Sequence, residues 1–113
     1  MDMSGEAMSE KLQAILKDLR KCMEDVYGPR LVQMVLYGSQ ARGDAEDGSD
    51  IDVLVVLKGP VNAGDEILRT GEPVANLSLE HNVVIACLFM DEVYFRTRNG
   101  PLLRNVRREG VAI

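Results

Sequence analysis

Residues 36–57 read LYGSQARGDAEDGSDIDVLVVL, and two features within them could do chemistry. Asp50 and Asp52 stand one residue apart at the head of a run of Ile, Val and Leu. Side chains alternate across a strand, so both carboxylates project to one side with Cα atoms roughly 6.6 Å apart. Two carboxylates that close repel, and burying either is costly without a positive partner. A hard divalent cation is the simplest compensation. Mg²⁺ held by one or two carboxylates together with substrate phosphates is the usual arrangement in phosphate-transfer sites. Upstream, Gly38-Ser39 closes a second strand-like run. Glycine lets the backbone approach a ligand, exposed N–H groups at a helix start attract phosphate oxygens, and Ser39 adds a hydroxyl. Taken together the two features describe a site for a metal-bound nucleoside triphosphate. Taken singly each has an ordinary structural explanation: Gly-Ser after a strand is common, and DAEDGS is an acidic turn. Neither a Walker A loop nor a G-x-G-x-x-G motif is present.

The elements that must position these residues follow from periodicity. Leu12, Ile15, Leu16, Leu19, Cys22, Met23 and Val26 recur at three-four spacing and predict a helix over 9–26, capped by Ser9 or Ser4 and ended by Gly28-Pro29. LVQMVLYG (31–38) and DIDVLVVL (50–57) are short and β-branched, and read as central strands buried on both faces, with a short helix, SQARGDA, between them. KGPVNAG is a loop. Asp65 can cap a second helical stretch with Ile67, Leu68, Val74, Leu77 and Leu79 inward, which Gly71 and Pro73 must kink or split. VVIACLFM (83–90) is the third strand, followed by a polar turn and a helix from Pro101 to Glu109 with Gly110 past its end. The order of elements predicts α and β segments sharing one small sheet in a single domain over residues 1–113.

Composition narrows the function. The net charge of −5 and pI of about 4.8 argue against binding nucleic acid, which rests on many Lys and Arg contacts. No apolar run reaches membrane-spanning length and the acidic start is no secretory signal, so the expected location is cytoplasmic, away from the membrane. Cys22 and Cys87 lack neighbouring metal ligands and read as small buried thiols, and the lone His81 as a surface or capping residue. Five of the thirteen basic residues lie after residue 90, whereas the loop at 44–52 is acidic. This segregation makes Arg104, Arg107 and Arg108 candidates for docking a protein partner.

Gly38-Ser39, ten residues, then Asp50-Ile51-Asp52 resembles the signature of the DNA polymerase β-like nucleotidyltransferases. GSQARGDA…SDIDVLVV is similar to their small stand-alone branch, the minimal nucleotidyltransferases, with Ala41-Arg42-Gly43 and the following apolar strand agreeing. The resemblance is firm over 31–57 and looser elsewhere, where LLRNVRREGV looks like the close of many such domains. It implies a mixed α/β (α+β) nucleotidyltransferase fold, with a small mixed central sheet flanked by helices. Gly38 and Ser39 would hold the triphosphate of a nucleotide, with ATP the expected one. Asp50 and Asp52 would bind Mg²⁺ as the catalytic pair, and Arg42 would neutralise phosphate or serve only as an exposed helix charge. The resemblance also implies a third acid on the next strand, and VVIACLFM has none; Glu80, Asp91 and Glu92 lie outside it.

Minimal nucleotidyltransferases pair with helical HEPN proteins as antitoxins, and some transfer AMP to a tyrosine of that partner. The resemblance therefore implies an antitoxin that transfers AMP from Mg-ATP to a hydroxyl of a HEPN toxin. The alternative is a catalytically weakened nucleotide-binding antitoxin that neutralises its partner by contact alone.

Overall fold

The computed structural model of the protein describes residues 8–46 and 48–113. Its first helix, α1 (Glu10–Tyr27), starts where the Ser9 hydroxyl accepts the Leu12 N–H at 3.1 Å. Ser4, the other candidate cap, lies outside the described residues. Leu12, Ile15, Leu16, Leu19, Met23 and Tyr27 form one buried stripe, as the three-four spacing requires. A 3₁₀ turn at Gly28–Arg30 redirects the chain into β1 (Leu31–Tyr37), and the four-residue helix α2 (Ser39–Arg42) follows. Then come β2 (Ile51–Leu57), α3 (Ala63–His81), β3 (Ile85–Asp91), α4 (Glu92–Thr97), α5 (Pro101–Glu109) and a two-residue strand, β4 (Val111–Ala112).

The strands form a mixed sheet in the order β3-β2-β1-β4. β1 is antiparallel to β2 and to β4, whereas β2 and β3 are parallel. β1 and β2 are central, as expected, and residues 53–57 are fully buried. Each such side chain contributes about 1.5–3 kcal/mol of transfer free energy, which makes β2 the keel of the fold. Alternation sorts the strands' side chains into two cores. Met34, Leu36, Val53, Val55, Leu57 and Phe89 pack with the α1 stripe and with Val74 and Leu77 of α3. Val35, Leu54 and Val56 pack on the other face with Leu103 and Val106 of α5 and Phe95 of α4.

Several elements depart from the sequence expectations. α3 is continuous through Gly71 and Pro73; it begins at Ala63, and Asn62 rather than Asp65 caps it, accepting the Asp65 N–H at 3.1 Å. Pro73 removes one hydrogen bond, and the packing of Val74 and Leu77 on the sheet holds the helix across it. Ile67, Leu68 and Leu79, expected inward, are 55%, 82% and 81% exposed, because the inward stripe of α3 runs through Glu66, Thr70, Val74 and Leu77 at three-four spacing and leaves them beside it. The polar turn after β3 is helix α4, and β4 was not expected at all. Gly110 permits β4: a Cβ there would collide with the Val106 carbonyl and with Val35 as the chain doubles back from α5.

The C-terminal end of β2 is tied down by a buried acid. Glu66, in the first turn of α3, is 3% exposed. Its carboxylate accepts the Tyr27 hydroxyl at 2.7 Å and Arg69 Nε at 3.0 Å, and lies 3.5 Å from Arg30 Nη1. Arg30 also donates to the Lys58 and Pro60 carbonyls just past β2. Burial pushes the Glu66 carboxyl pKa up, but Tyr27, Arg69 and Arg30 outweigh it and leave it below the ordinary range.

Candidate functional site

The sheet brings the motif residues together. β1 and β2 are paired so that Tyr37 lies opposite Asp52, which places Gly38 and Ser39 at the same end of the sheet as the aspartates. A Cβ built on Gly38 would stand 2.6 Å from Asp52 Oδ2. Gly38 also has φ +76°, in the left-handed region that side chains other than glycine's rarely adopt. The Asp52 carboxylate thus occupies the space a side chain at 38 would need, and the backbone is held open against it. Gly38 is the cap of α2; its carbonyl accepts the Ala41 and Arg42 N–H groups, and the opening N–H groups of such a turn have no intrahelical partner.

Asp52 shares its face of the sheet with Leu54 and Val56, away from α1 and α3. Asp50 immediately precedes β2 and is exposed, and the N–H of the next residue, Ile51, donates to the Val84 carbonyl at 2.8 Å. Burial, and then the Asp50 charge, raise the Asp52 carboxyl pKa above its ordinary value. Burial and the Asp52 charge likewise raise that of the Tyr37 phenol. Among the described residues, neither aspartate has a cation within ion-pair distance. The donor set fits a hard divalent cation: two oxygen ligands, one exposed and one half-buried, with negative charge left uncompensated.

Arg42 is placed at the site's margin but is already engaged. Its Nε lies 3.1 Å from Asp44 Oδ2 and its Nη1 3.2 Å from Glu109 Oε2, so it clips α2 to the end of α5. Those bonds, Asp44's first, raise its pKa. Of the C-terminal arginines, Arg107 spends its donors on the Phe95 and Arg98 carbonyls and on Asn99 Oδ1, which joins α4 to α5. Arg104 donates to the Asn99 carbonyl and Arg108 to Asn105 Oδ1, and all three arginines are exposed.

The strand beside Asp52 carries no acid near it. Ala86 is the register partner of Asp52, and in a parallel ladder partners project to the same face. Asp91, expected outside the third strand, is its last residue, because the strand starts two residues late and runs one further. It pairs with Leu57 at the far end of the sheet, where its Oδ1 accepts the Tyr94 N–H at 2.8 Å and caps α4. Glu80 lies 3.3 Å from His81 Nε2, and Glu92 is 4.0 Å from Arg96.

Sequence reasoning also missed a neighbouring cavity of about 340 Å³, lined among others by Lys11, Gln40, Glu46, Ser49 and Asn82. Gly43, Ala45, Gly48 and the start of α1 also line it, and none of Gly38, Ser39, Asp50 and Asp52 does. Its walls come from three distant segments, which no local pattern signals.

A mixed sheet with an aspartate pair beside a glycine-capped turn defines a class, and the chain belongs to the nucleotidyltransferase domain family, whose model matches residues 16–110. A Methanocaldococcus jannaschii protein with the provisional name protein adenylyltransferase MJ0604 is 33% identical over 96 residues, covering 84% of this chain and 90% of that protein. A second from that organism, MJ0141, provisionally named in the same way, is 24% identical over 99 residues, covering 88% and 95%. The fold is similar to that of one chain in the crystal structure of a toxin-antitoxin with AMP-PNP, with TM-score 0.63, 20% identity, and 85% and 69% of the two chains covered. It is also similar to one chain in the complex of tri-AMPylated Shewanella oneidensis HEPN toxin with MNT antitoxin, with TM-score 0.59, 18% identity, and 88% and 69% covered. No helix among the described residues is long and apolar enough to cross a membrane.

Proposed function

We propose that the protein is a minimal nucleotidyltransferase that acts as the antitoxin of a two-component module in the cytoplasm, transferring AMP from Mg-ATP to a hydroxyl of a helical HEPN toxin. The observation that carries this reading is the Asp52 carboxylate set against Gly38 and beside the Asp50 charge, with no cation in ion-pair distance among the described residues. The provisional adenylyltransferase names of relatives, and neighbours described as toxin-antitoxin complexes with AMP-PNP or an AMPylated toxin, support it.

In this reading Asp50 and Asp52 hold Mg²⁺, and the Gly38-Ser39 turn, with the Ser39 hydroxyl, receives the triphosphate tail. Bound there, the metal would neutralise phosphate charge and stabilise what develops on the phosphoryl oxygens during transfer. The acceptor oxygen forms a bond to the α-phosphorus, the bond from that phosphorus to the bridging oxygen breaks, and pyrophosphate carries away the electron pair. Arg42 would reach phosphate only by leaving Asp44 or Glu109, which makes it a trimming residue for the triphosphate and not its main anchor.

Among the described residues no acid on the neighbouring strand stands near Asp52 to take the acceptor's proton, and that favours a second reading. Ala86 stands opposite Asp52 where an acid could have taken the proton. The alternative is a nucleotide-binding antitoxin that neutralises its partner by contact alone. Incubating the chain with its co-expressed HEPN partner, Mg²⁺ and ATP separates them: transfer adds AMP mass to the toxin and releases pyrophosphate. An unmodified but neutralised toxin would establish the contact reading instead.

A further inference from the structure

We propose that Asp18, Glu80 and His81 form a second metal site, for a borderline-soft divalent cation of the zinc class, within the helical layer on the face of the sheet opposite Asp52. Two carboxylates converge on one imidazole nitrogen: Asp18 Oδ2 is 3.0 Å and Glu80 Oε2 3.3 Å from His81 Nε2. A single N–H serves one acceptor well, so with a proton there only one of the two carboxylates is bound to the imidazole and the other is left to solvent. A cation in the proton's place serves all three.

The spacing fits such an ion. Tetrahedral zinc with bonds of about 2.0–2.1 Å to N and O holds its ligand atoms roughly 3.3 Å apart. Two of the separations already lie near that value, and all three donor atoms fall within 4.8 Å of one another. The imidazole is the fixed member, with its side chain 18% exposed, whereas Asp18 and Glu80 are 45% and 65% exposed and can swing to close the set. His81 is the last residue of α3, where the unpaired carbonyls of a helix end favour positive charge. A nitrogen and two carboxylates suit zinc better than Mg²⁺, which prefers oxygen ligands and water. Three protein donors leave a fourth position for water, so the site would be exchangeable and not closed.

The location gives the site a consequence. The donors join α1 to the end of α3, and the chain then passes through Asn82 and Val83 to Val84, whose carbonyl accepts the Ile51 N–H between the two motif aspartates. An ion held here would pin the segment that seats Asp50 and Asp52, without taking part in their chemistry.

The test is zinc alone, titrated against a chromophoric chelator into the full chain and its variants. We expect one equivalent to bind the parent and to persist in Asp50→Asn with Asp52→Asn. His81→Gln and, separately, the half-buried Asp18→Asn should each weaken it by at least about 100-fold, the upper end of what loss of a supporting ligand partner costs. X-ray absorption of the zinc-loaded double variant should show N and O donors and no sulfur shell at about 2.3 Å, which separates this site from one built on Cys22 or Cys87. Failure of the parent to compete with the chelator, equal uptake by His81→Gln, or a sulfur shell would each overturn the proposal. So would a lower Tm in His81→Gln with unchanged zinc uptake, the signature of an ion pair only.

Discussion

At the C-terminal end of β2, Glu66 is 3% exposed and answered by one hydroxyl and two guanidinium groups. At the N-terminal end, half-buried Asp52 stands beside Asp50 with no cation in ion-pair distance among the described residues. Both carboxylates are partly desolvated, yet their pKa values move in opposite directions, down for Glu66 and up for Asp52. The contrast teaches what each end is for. The Glu66 charge is matched within the chain, whereas in the proposed function the charge at the Asp52 end is matched by a bound cation. Linkage gives the two ends opposite signs. Ionised Glu66 contributes stability above its unfolded pKa, which is lost as pH falls through its lowered folded value. Asp52 contributes below its unfolded pKa, and that is lost as pH rises through its raised folded value, so at neutral pH its charge is a cost.

The contrast can be sharpened by adding a third acid to the unmatched end. Ala86→Asp would place a carboxylate opposite Asp52, and if proton removal limits AMP transfer the rate to the partner should rise by about 10², the low end for a general base. An unchanged rate, with the variant folded, would mean that the partner supplies the base or that neutralisation works by contact. The matched end can be broken by Glu66→Ala, which strands the buried Tyr27 hydroxyl; chemical denaturation should show a loss of about 2–3 kcal/mol. The larger cost of splitting a fully buried ion pair is not expected, because Arg30 and Arg69 are 32% and 54% exposed and can rehydrate. Nucleotide binding should outlast that change, whereas its loss would mean the two ends are coupled.

Smaller effects follow at Gly38 and Asp52. Gly38→Ala forces a left-handed alanine against the Asp52 carboxylate and should cost about 1–2 kcal/mol of stability from the backbone alone. Its effect on Mg-ATP affinity, measured by calorimetry, should be disproportionately larger, and an affinity equal to the parent's would remove Gly38 from the site. Asp52→Asn should raise stability by about 0.5 kcal/mol near neutral pH, the scale of relieving one close like-charge pair. The gain should shrink as pH is lowered and Asp52 in the parent takes up its proton. A gain that grows on acidification would contradict the sign assigned above.

What was legible in the sequence was what local spacing encodes. The α1 stripe repeats within one turn, β2 is a continuous apolar run, and Gly38, Ser39, Asp50 and Asp52 stand close enough in sequence for two neighbouring strands to join them. Glu66 was not legible because its partners Tyr27, Arg30 and Arg69 come from two helices and the turn between α1 and β1. β4 has two residues and exists only through Val35↔Ala112 and Leu36↔Val111, pairings more than seventy residues apart in the chain. The extent of β3 was misjudged because Asp91 both ends a strand and caps a helix, and its residue type signals only the second role. Arg42 stays open between a phosphate contact and an exposed helix charge in the sequence, because nothing near it there discloses Glu109.

The central claim is that Asp50 and Asp52 hold a divalent cation for a nucleoside triphosphate, and calorimetric titration of Mg-ATP into the parent and into Asp50→Asn with Asp52→Asn tests it most directly. The parent should bind with an affinity that depends on Mg²⁺ and falls as Asp52 is protonated. The double variant should keep its fold and lose that Mg²⁺-dependent affinity. A double variant that binds Mg-ATP as the parent does would contradict the account, whatever its stability.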